Sequence, residues 1–128
     1  MKKSKKIVIK LGSSLLTNKN GGVNKSVLKN VVKDIIWLLN SKKEVIVVSS
    51  GAISLGRGKL DLKHDLTLNE SQAVAARGQI ELMTAWKNEF KKYKKQVAQI
   101  LLSPSDIKNK KSSKNAMATL ENLLNFNC

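Results

Sequence analysis

The chain has a single cysteine, Cys128, so no disulfide can close within it, and a reducing compartment, the cytoplasm, is the expected setting. Long hydrophobic runs are missing as well: no stretch approaches the roughly 20 apolar residues that a membrane-spanning helix needs. The N-terminal Met1-Lys2-Lys3-Ser4-Lys5-Lys6 has the charge of a secretory leader. The apolar stretch after it is short and interrupted by lysine before Gly12, and no small-residue cleavage site follows, so a soluble chain is expected. Arginine is nearly absent: of 24 basic residues only Arg57 and Arg77 are not lysine, and nine acidic residues leave a net charge of +15. Such a surplus ordinarily suggests nucleic acid, but base readout and bidentate phosphate grip favour arginine. The lysines are also scattered over Lys2–Lys6, Lys42-Lys43, Lys91–Lys95 and Lys108–Lys114. Solvated faces with a compositional bias toward Lys and Asn are the first reading and a nucleic-acid surface the second; both allow steering of anionic substrates. The one histidine, His64, lies in a charged loop with no Cys, His or Asp at metal-ligand spacing, which assigns it to surface.

At 128 residues and 41% hydrophobic, the chain can build one core and is too short for two full domains. Ile7 to Leu11 is a β-branched apolar run closed by Gly12, which reads as a buried strand with its turn. After the loop Asn18-Lys19-Asn20-Gly21-Gly22, Val27, Leu28, Val31, Val32, Ile35, Ile36, Leu38 and Leu39 recur at helical spacing up to Asn40-Ser41-Lys42-Lys43. Glu44 to Ser49 is a second buried strand, and two strands joined by a helix make a parallel βαβ unit. Ala52 to Leu60 reads as a short helix interrupted by Gly56 and Gly58. Thr67-Leu68-Asn69-Glu70 matches a capping box opening a helix to about Tyr93, apolar at Ala73, Ala76, Ile80, Leu82, Met83, Trp86 and Phe90, with Gly78 as a kink or close-packing point. Gln96 to Leu102 reads as a third strand, Asp106 to Lys114 as a basic loop, and Asn115 to Phe126 as a last amphipathic helix. Trp37, Trp86 and Phe90 fall on apolar helix faces and are expected in the core or an interface. The resulting class is α/β, a three-layer sandwich with a mainly parallel sheet that is incomplete.

Two segments suit anion chemistry. Lys10 precedes Leu11-Gly12-Ser13-Ser14 at the carboxyl end of the first strand, where open α/β sheets place ligands. Gly12 allows close backbone approach, and the successive amides of Gly12, Ser13 and Ser14 suit a phosphate. Alone, the segment reads equally as a strand-ending lysine beside an ordinary turn. Ser49-Ser50-Gly51-Ala52, running from the second strand into a helix, directs amides and the positive helix end to the same sheet edge. Two such segments on parallel strands strengthen the anion-site reading over two plain turns. The Walker pattern, the G-x-G-x-x-G fingerprint and the G-x-S-x-G elbow are all absent.

These residues resemble the amino acid kinase family, and within it the glutamate 5-kinases. The resemblance rests on Ile9-Lys10-Leu11-Gly12-Ser13-Ser14-Leu15-Leu16-Thr17, on Val48-Ser49-Ser50-Gly51-Ala52-Ile53 with Gly56-Arg57, and on Gln72-Ala73-Val74-Ala75-Ala76-Arg77-Gly78-Gln79. It continues through Ala98-Gln99-Ile100-Leu101-Leu102-Ser103 with Asp106 and through Asn115-Ala116-Met117-Ala118-Thr119-Leu120. The resemblance implies transfer of the ATP γ-phosphoryl group to the side-chain carboxylate of L-glutamate with Mg²⁺ present, as in proline biosynthesis. It implies Lys10 as the catalytic cation, Lys10, Gly12 and Ser13 as phosphate-binding, and Ser50, Gly51 and Ala52 as substrate-binding. No protein metal ligand is implied. Arg77 departs from the family pattern, where an apolar residue is usual, which puts the packing of its helix in question. Asp106 and Asn115 fall in matching segments, but both read as helix caps.

Residues 1–128 correspond to the substrate and phosphate-binding half of such a kinase domain. The family's further strands, adenine pocket and second catalytic lysine have no counterpart in the sequence. A chain inactive alone, self-associating, or completed by a C-terminal half is therefore expected. A non-catalytic remnant or regulatory pseudokinase of the same fold is the alternative, and a small basic nucleic-acid-binding protein the third reading. No membrane partner is expected.

Overall fold

A computed structural model describes residues 5–128, so Met1–Ser4 of the leader-like basic run lie outside the described residues. The elements are β1 (Lys6–Leu11), α1 (Ser13–Leu16), α2 (Lys25–Asn40), β2 (Glu44–Ser49), α3 (Ala52–Leu60), α4 (Leu68–Lys91), α5 (Pro104–Lys108) and α6 (Lys110–Asn125). The chain divides into two compact units, one ending at Glu89 and the other running from Phe90 to Cys128. The helices and the parallel pairing of β1 with β2 bear out the expected α/β class with an incomplete sheet.

In the first unit the pairing runs in register from Lys6↔Glu44 to Leu11↔Ser49. That parallel arrangement requires a crossover, which α2 supplies. Asn24 caps α2 by accepting from the Val27 amide at 3.4 Å, and Leu28, Val32 and Ile35, one helical turn apart, are buried. Through this stripe α2 packs on β2. Trp37 is not part of the core: it is 68% exposed, because two residues past Ile35 the helix has turned about 200°.

The expected break in α3 does not occur. Gly56 and Gly58 lie inside a continuous helix, and both are places where other backbone comes close. A Cβ on Gly56 would strike the Val74 carbonyl of α4, and one on Gly78 would strike the Ala52 carbonyl of α3. The two helices are thus in backbone contact through their glycines, so Gly78 is a close-packing point. The cost of glycine in a helix interior, about 1 kcal/mol, is offset here by that contact. Gly58 meets Gly21, whose φ of +71° turns the Asn18–Gly22 loop.

Helix α4 opens with the expected capping box. The Thr67 amide donates to Glu70 Oε2 at 2.8 Å, and the Glu70 amide donates to Thr67 Oγ1 at 3.3 Å. Its buried stripe is Val74, Gly78, Leu82 and Trp86, rotated from the expected one: Ala73, Ala76 and Ile80 are exposed. Arg77 is accommodated on the flank of this stripe, with Nη1 3.0 Å from Glu81 Oε1 one turn later.

In the second unit the third strand is absent among the described residues. Gln96 to Leu102 has no ladder partner, and Leu101 and Leu102 are exposed. An apolar run adopts a strand only where a neighbour satisfies its backbone groups. The expected basic loop is largely helical. Ser103-Pro104 starts α5 through a capping box in which the Ser103 amide donates to Asp106 Oδ2 at 2.8 Å. Asn109 caps α6, accepting from the amides of Lys111 and Ser112 at 2.9 and 3.2 Å. Asp106 is therefore a cap as expected, whereas Asn115 lies inside α6 and caps nothing. No described helix is long and apolar enough to cross a membrane.

Candidate active site

The carboxyl ends of β1 and β2 bring the two glycine-bearing segments together. Leu11 pairs with Ser49, and one residue later the Ser50 amide donates to the Leu11 carbonyl at 3.0 Å. The chain then diverges from the sheet on both sides, into α1 after Gly12 and into α3 after Gly51. Gly51 has φ +115°, a conformation in which a side chain is strained, and it is the residue from which α3 starts. Space restricts the position too: an added Cβ would lie 3.4 Å from Thr17 Cγ2 and 3.8 Å from Ser13 Cα. Ser13 and Gly51 therefore sit side by side.

Gly12 presents the opposite case. Its φ of −76° suits any residue, and a Cβ there would meet nothing within 4 Å. Neither turn geometry nor packing calls for glycine at this position, which leaves room for something to approach the backbone from outside. The amides of Ser13 and Ser14 belong to the first turn of α1, where helix N–H groups have no intrahelical acceptor. Lys10 and Ser50 are exposed at the same sheet edge, and Ala52 opens α3. Lysine, serine hydroxyl and backbone amides form a donor set for phosphate and carboxylate oxygens. The described residues include no group of three His, Cys, Asp or Glu side chains that could hold a metal ion.

Three residues that sequence reasoning did not single out for the site support these loops. Thr17 Oγ1 donates to the Ser13 carbonyl at 2.9 Å and accepts from Ser54 Oγ at 3.1 Å. Trp86, expected in core or interface, is buried and donates from Nε1 to Ser49 Oγ at 3.1 Å. The i, i+4 spacing of Ser13 and Thr17 was a readable signal; the partnership with Ser54, 37 residues away, was not. His64 is exposed as expected, with its ring 3.4 Å from Glu70 Oε1 and its carbonyl accepting from Arg57 at 2.7 Å. An open depression of about 380 Å³ beside α3, lined by residues that include Asn18, Lys19, Ser54 and Arg57, does not reach Lys10, Gly12 or Ser50.

Residues 5–127 match the amino acid kinase family. The chain belongs to that family. Among curated relatives it is similar to the glutamate 5-kinase of Geobacter sp. (strain M21), at 42% identity over 97% of this chain and 34% of the relative. The glutamate 5-kinase of Pelagibacter ubique is 45% identical over 96% of this chain and 34% of its own length. That of Enterococcus faecalis is 41% identical over 99% of this chain and 47% of its own length. The chain thus spans between about a third and a half of the amino acid kinases it matches. Both glycine-bearing segments lie inside the matched residues.

Proposed function

We propose that this chain forms the substrate and phosphoryl-binding part of a glutamate 5-kinase, with residues 1–128 as the N-terminal half of the kinase domain. The observation that carries the reading is the juxtaposition of Ser13 with Gly51 at the ends of two paired parallel strands. In the proposed reaction a side-chain carboxylate oxygen of L-glutamate attacks the γ-phosphorus of ATP. The bond from that phosphorus to the β,γ-bridging oxygen breaks, ADP leaves with the electron pair, and glutamyl 5-phosphate forms. No protein side chain need become covalently attached, so the protein's contribution is alignment and charge. Lys10 offsets charge on the transferring group, the amides of Gly12 and Ser13 bind its oxygens, and Ser50, Gly51 and Ala52 hold the carboxylate in line. The relatives' names support L-glutamate as acceptor. The donor set at this edge fits phosphate and not a bare divalent cation, so no role is assigned to protein-held Mg²⁺. A cytoplasmic setting and service in proline biosynthesis go with this reading.

The test supplies the chain with the portion of the Enterococcus faecalis relative that lies beyond the match and measures ADP release. Release dependent on both L-glutamate and ATP is expected. Lys10→Ala should lower it about a hundredfold or more, the scale of removing one donor from a transition-state charge site. Gly12→Ala should weaken ATP use while leaving the melting temperature nearly unchanged. No ADP release, together with no binding of either L-glutamate or ATP, refutes the reading. A salt-sensitive shift of RNA or DNA in its place would favour a nucleic-acid surface.

A further inference from the structure

Thr17 touches the second glycine loop in two ways while belonging to the first. Its hydroxyl has one proton to donate and lone pairs to accept with. The donor goes to the Ser13 carbonyl at 2.9 Å, and an acceptor position takes the Ser54 hydroxyl at 3.1 Å. Its methyl lies against Gly51, 3.4 Å from where a Cβ would stand. The Thr17 amide also donates to the Ser13 carbonyl at 2.9 Å, and Thr17 bridges to Val23, so its own position is fixed by backbone on both sides. Ser54 is two residues past Ala52 in the first turn of α3. One partly buried side chain therefore fixes the gap between the end of β1 and the start of α3. The strand pairing fixes only part of it: its last bond, from the Ser50 amide to the Leu11 carbonyl, holds Ser50 and stops short of Gly51 and Ala52.

We infer that Thr17 and Ser54 form a positioning pair that sets the spacing between Gly12-Ser13 and Ser50-Gly51-Ala52, and through it the grip on the carboxylate to be phosphorylated. The inference rests on the proposed function for its substrate. Neither residue touches the reacting atoms; each acts through Ser13 or through the start of α3. Serine at position 17 keeps both hydroxyl bonds and gives up the methyl against Gly51, whereas valine keeps a methyl there and loses both bonds, so the two variants separate the hydroxyl from the methyl.

The test uses the full ¹⁵N-labelled chain as wild type, Thr17→Val, Thr17→Ser, Ser54→Ala and the Thr17→Val/Ser54→Ala double variant, titrated with L-glutamate. Thr17→Val and Ser54→Ala should each move the Gly51 and Ala52 amide resonances. Each should weaken L-glutamate binding about threefold to tenfold, the range for loss of an ordinary hydrogen bond. The double variant should be no worse than Thr17→Val, since both lesions remove the same contact, and Thr17→Ser should bind as wild type does. Additive effects in the double variant would overturn the inference. So would a Thr17→Val spectrum in which Ser13 shifts and Gly51 stays in place. Should Thr17→Val fail to fold, Ser54→Ala and Thr17→Ser decide by the same resonances. A wild-type chain that binds no L-glutamate, yet shows coupled shifts at Gly51, would refute the proposed function and retain the spacing role.

Discussion

The unit ending at Glu89 and the unit from Phe90 onward hold their helices by different means. In the first, α2 buries Leu28, Val32 and Ile35, and α4 buries Val74, Leu82 and Trp86. In the second, α5 and α6 bury no side chain, and Leu101, Ile107, Met117 and Phe126 are all more than half exposed. What α5 and α6 have is capping: Ser103 with Asp106, and Asn109. The difference separates two sources of helix stability. Caps settle where a helix begins, each worth about 1 kcal/mol, whereas burial settles whether it persists, at about 1.5–3 kcal/mol per large side chain. The candidate site lies wholly in the unit that has burial.

The sharpest way to break this comparison is through the glycine contact of α3 with α4. Gly78→Ala forces a methyl into the Ala52 carbonyl, and Gly56→Ala forces one into that of Val74. Each should destabilise the first unit by about 3 kcal/mol or more, the upper range for overpacking. Thermal melts followed by Trp86 fluorescence check this, and a variant melting as wild type does would show that the helices can separate freely.

A matched truncation pair comes next. Leu82→Ala, at a position 3% exposed, should cost about 2–5 kcal/mol. Leu123→Ala, on the half-buried face of α6, should cost less than about 1 kcal/mol, closer to the surface range. Equal losses in urea titrations would mean that α6 is as well covered as α4.

Much of the first unit was legible because its signals are local. The β-branched runs Ile7–Leu11 and Val45–Val48 gave β1 and β2, though not their expected burial, since Val8 and Val48 are exposed and only Leu11 is buried; the i, i+4 stripe gave α2, and Thr67-Glu70 gave the start of α4. The pairing of the two glycine segments at one edge also followed from parallel strands. Other features were not legible, some for a tertiary reason and one because a local contact decides between two readings. Gly56 and Gly58 looked like helix breakers because their contacts, Val74 and Gly21, are remote in sequence. Gln96–Leu102 had a strand's composition without the neighbour that a strand requires. Ser103-Pro104 closes a strand or opens a helix equally well, and only the Asp106 side chain folding back on Ser103 decides for the helix. The Thr17–Ser54 pair carried no signal, since its members lie 37 residues apart and serine and threonine are ordinary near helix ends.

A smaller effect tests the capping half of the comparison. Asn109→Ala should remove about 1 kcal/mol from α6, read as lost helicity by circular dichroism with the first unit's melt unchanged. A coincident shift of both would show that α6 stability is tied to the core.

The smallest effect is on pH dependence. The Glu70 carboxyl is held below the ordinary glutamate range, first by the Thr67 amide, then by the Thr67 hydroxyl and by His64. Asp106 is held below the ordinary range by the Ser103 hydroxyl and amide. A lowered folded value means that the charged form is preferred in the folded state. The caps' contribution is therefore full above the unfolded values of about 4.3 for Glu and 3.9 for Asp, and is lost as pH falls through the lower folded values. Side-chain ¹³C titration should place both carboxyls below those references; values at or above them would mean the caps are not formed in solution.

The ends of β1 and β2 are proposed to form one anion site in place of two separate turns. Amide chemical-shift mapping of the ¹⁵N-labelled chain during an L-glutamate titration tests it most directly. Gly12, Ser13, Ser50, Gly51 and Ala52 should shift together along one binding curve, while amides of α5 and α6 stay in place. Shifts confined to one loop, or spread over the lysine-rich segments of the second unit, would contradict it.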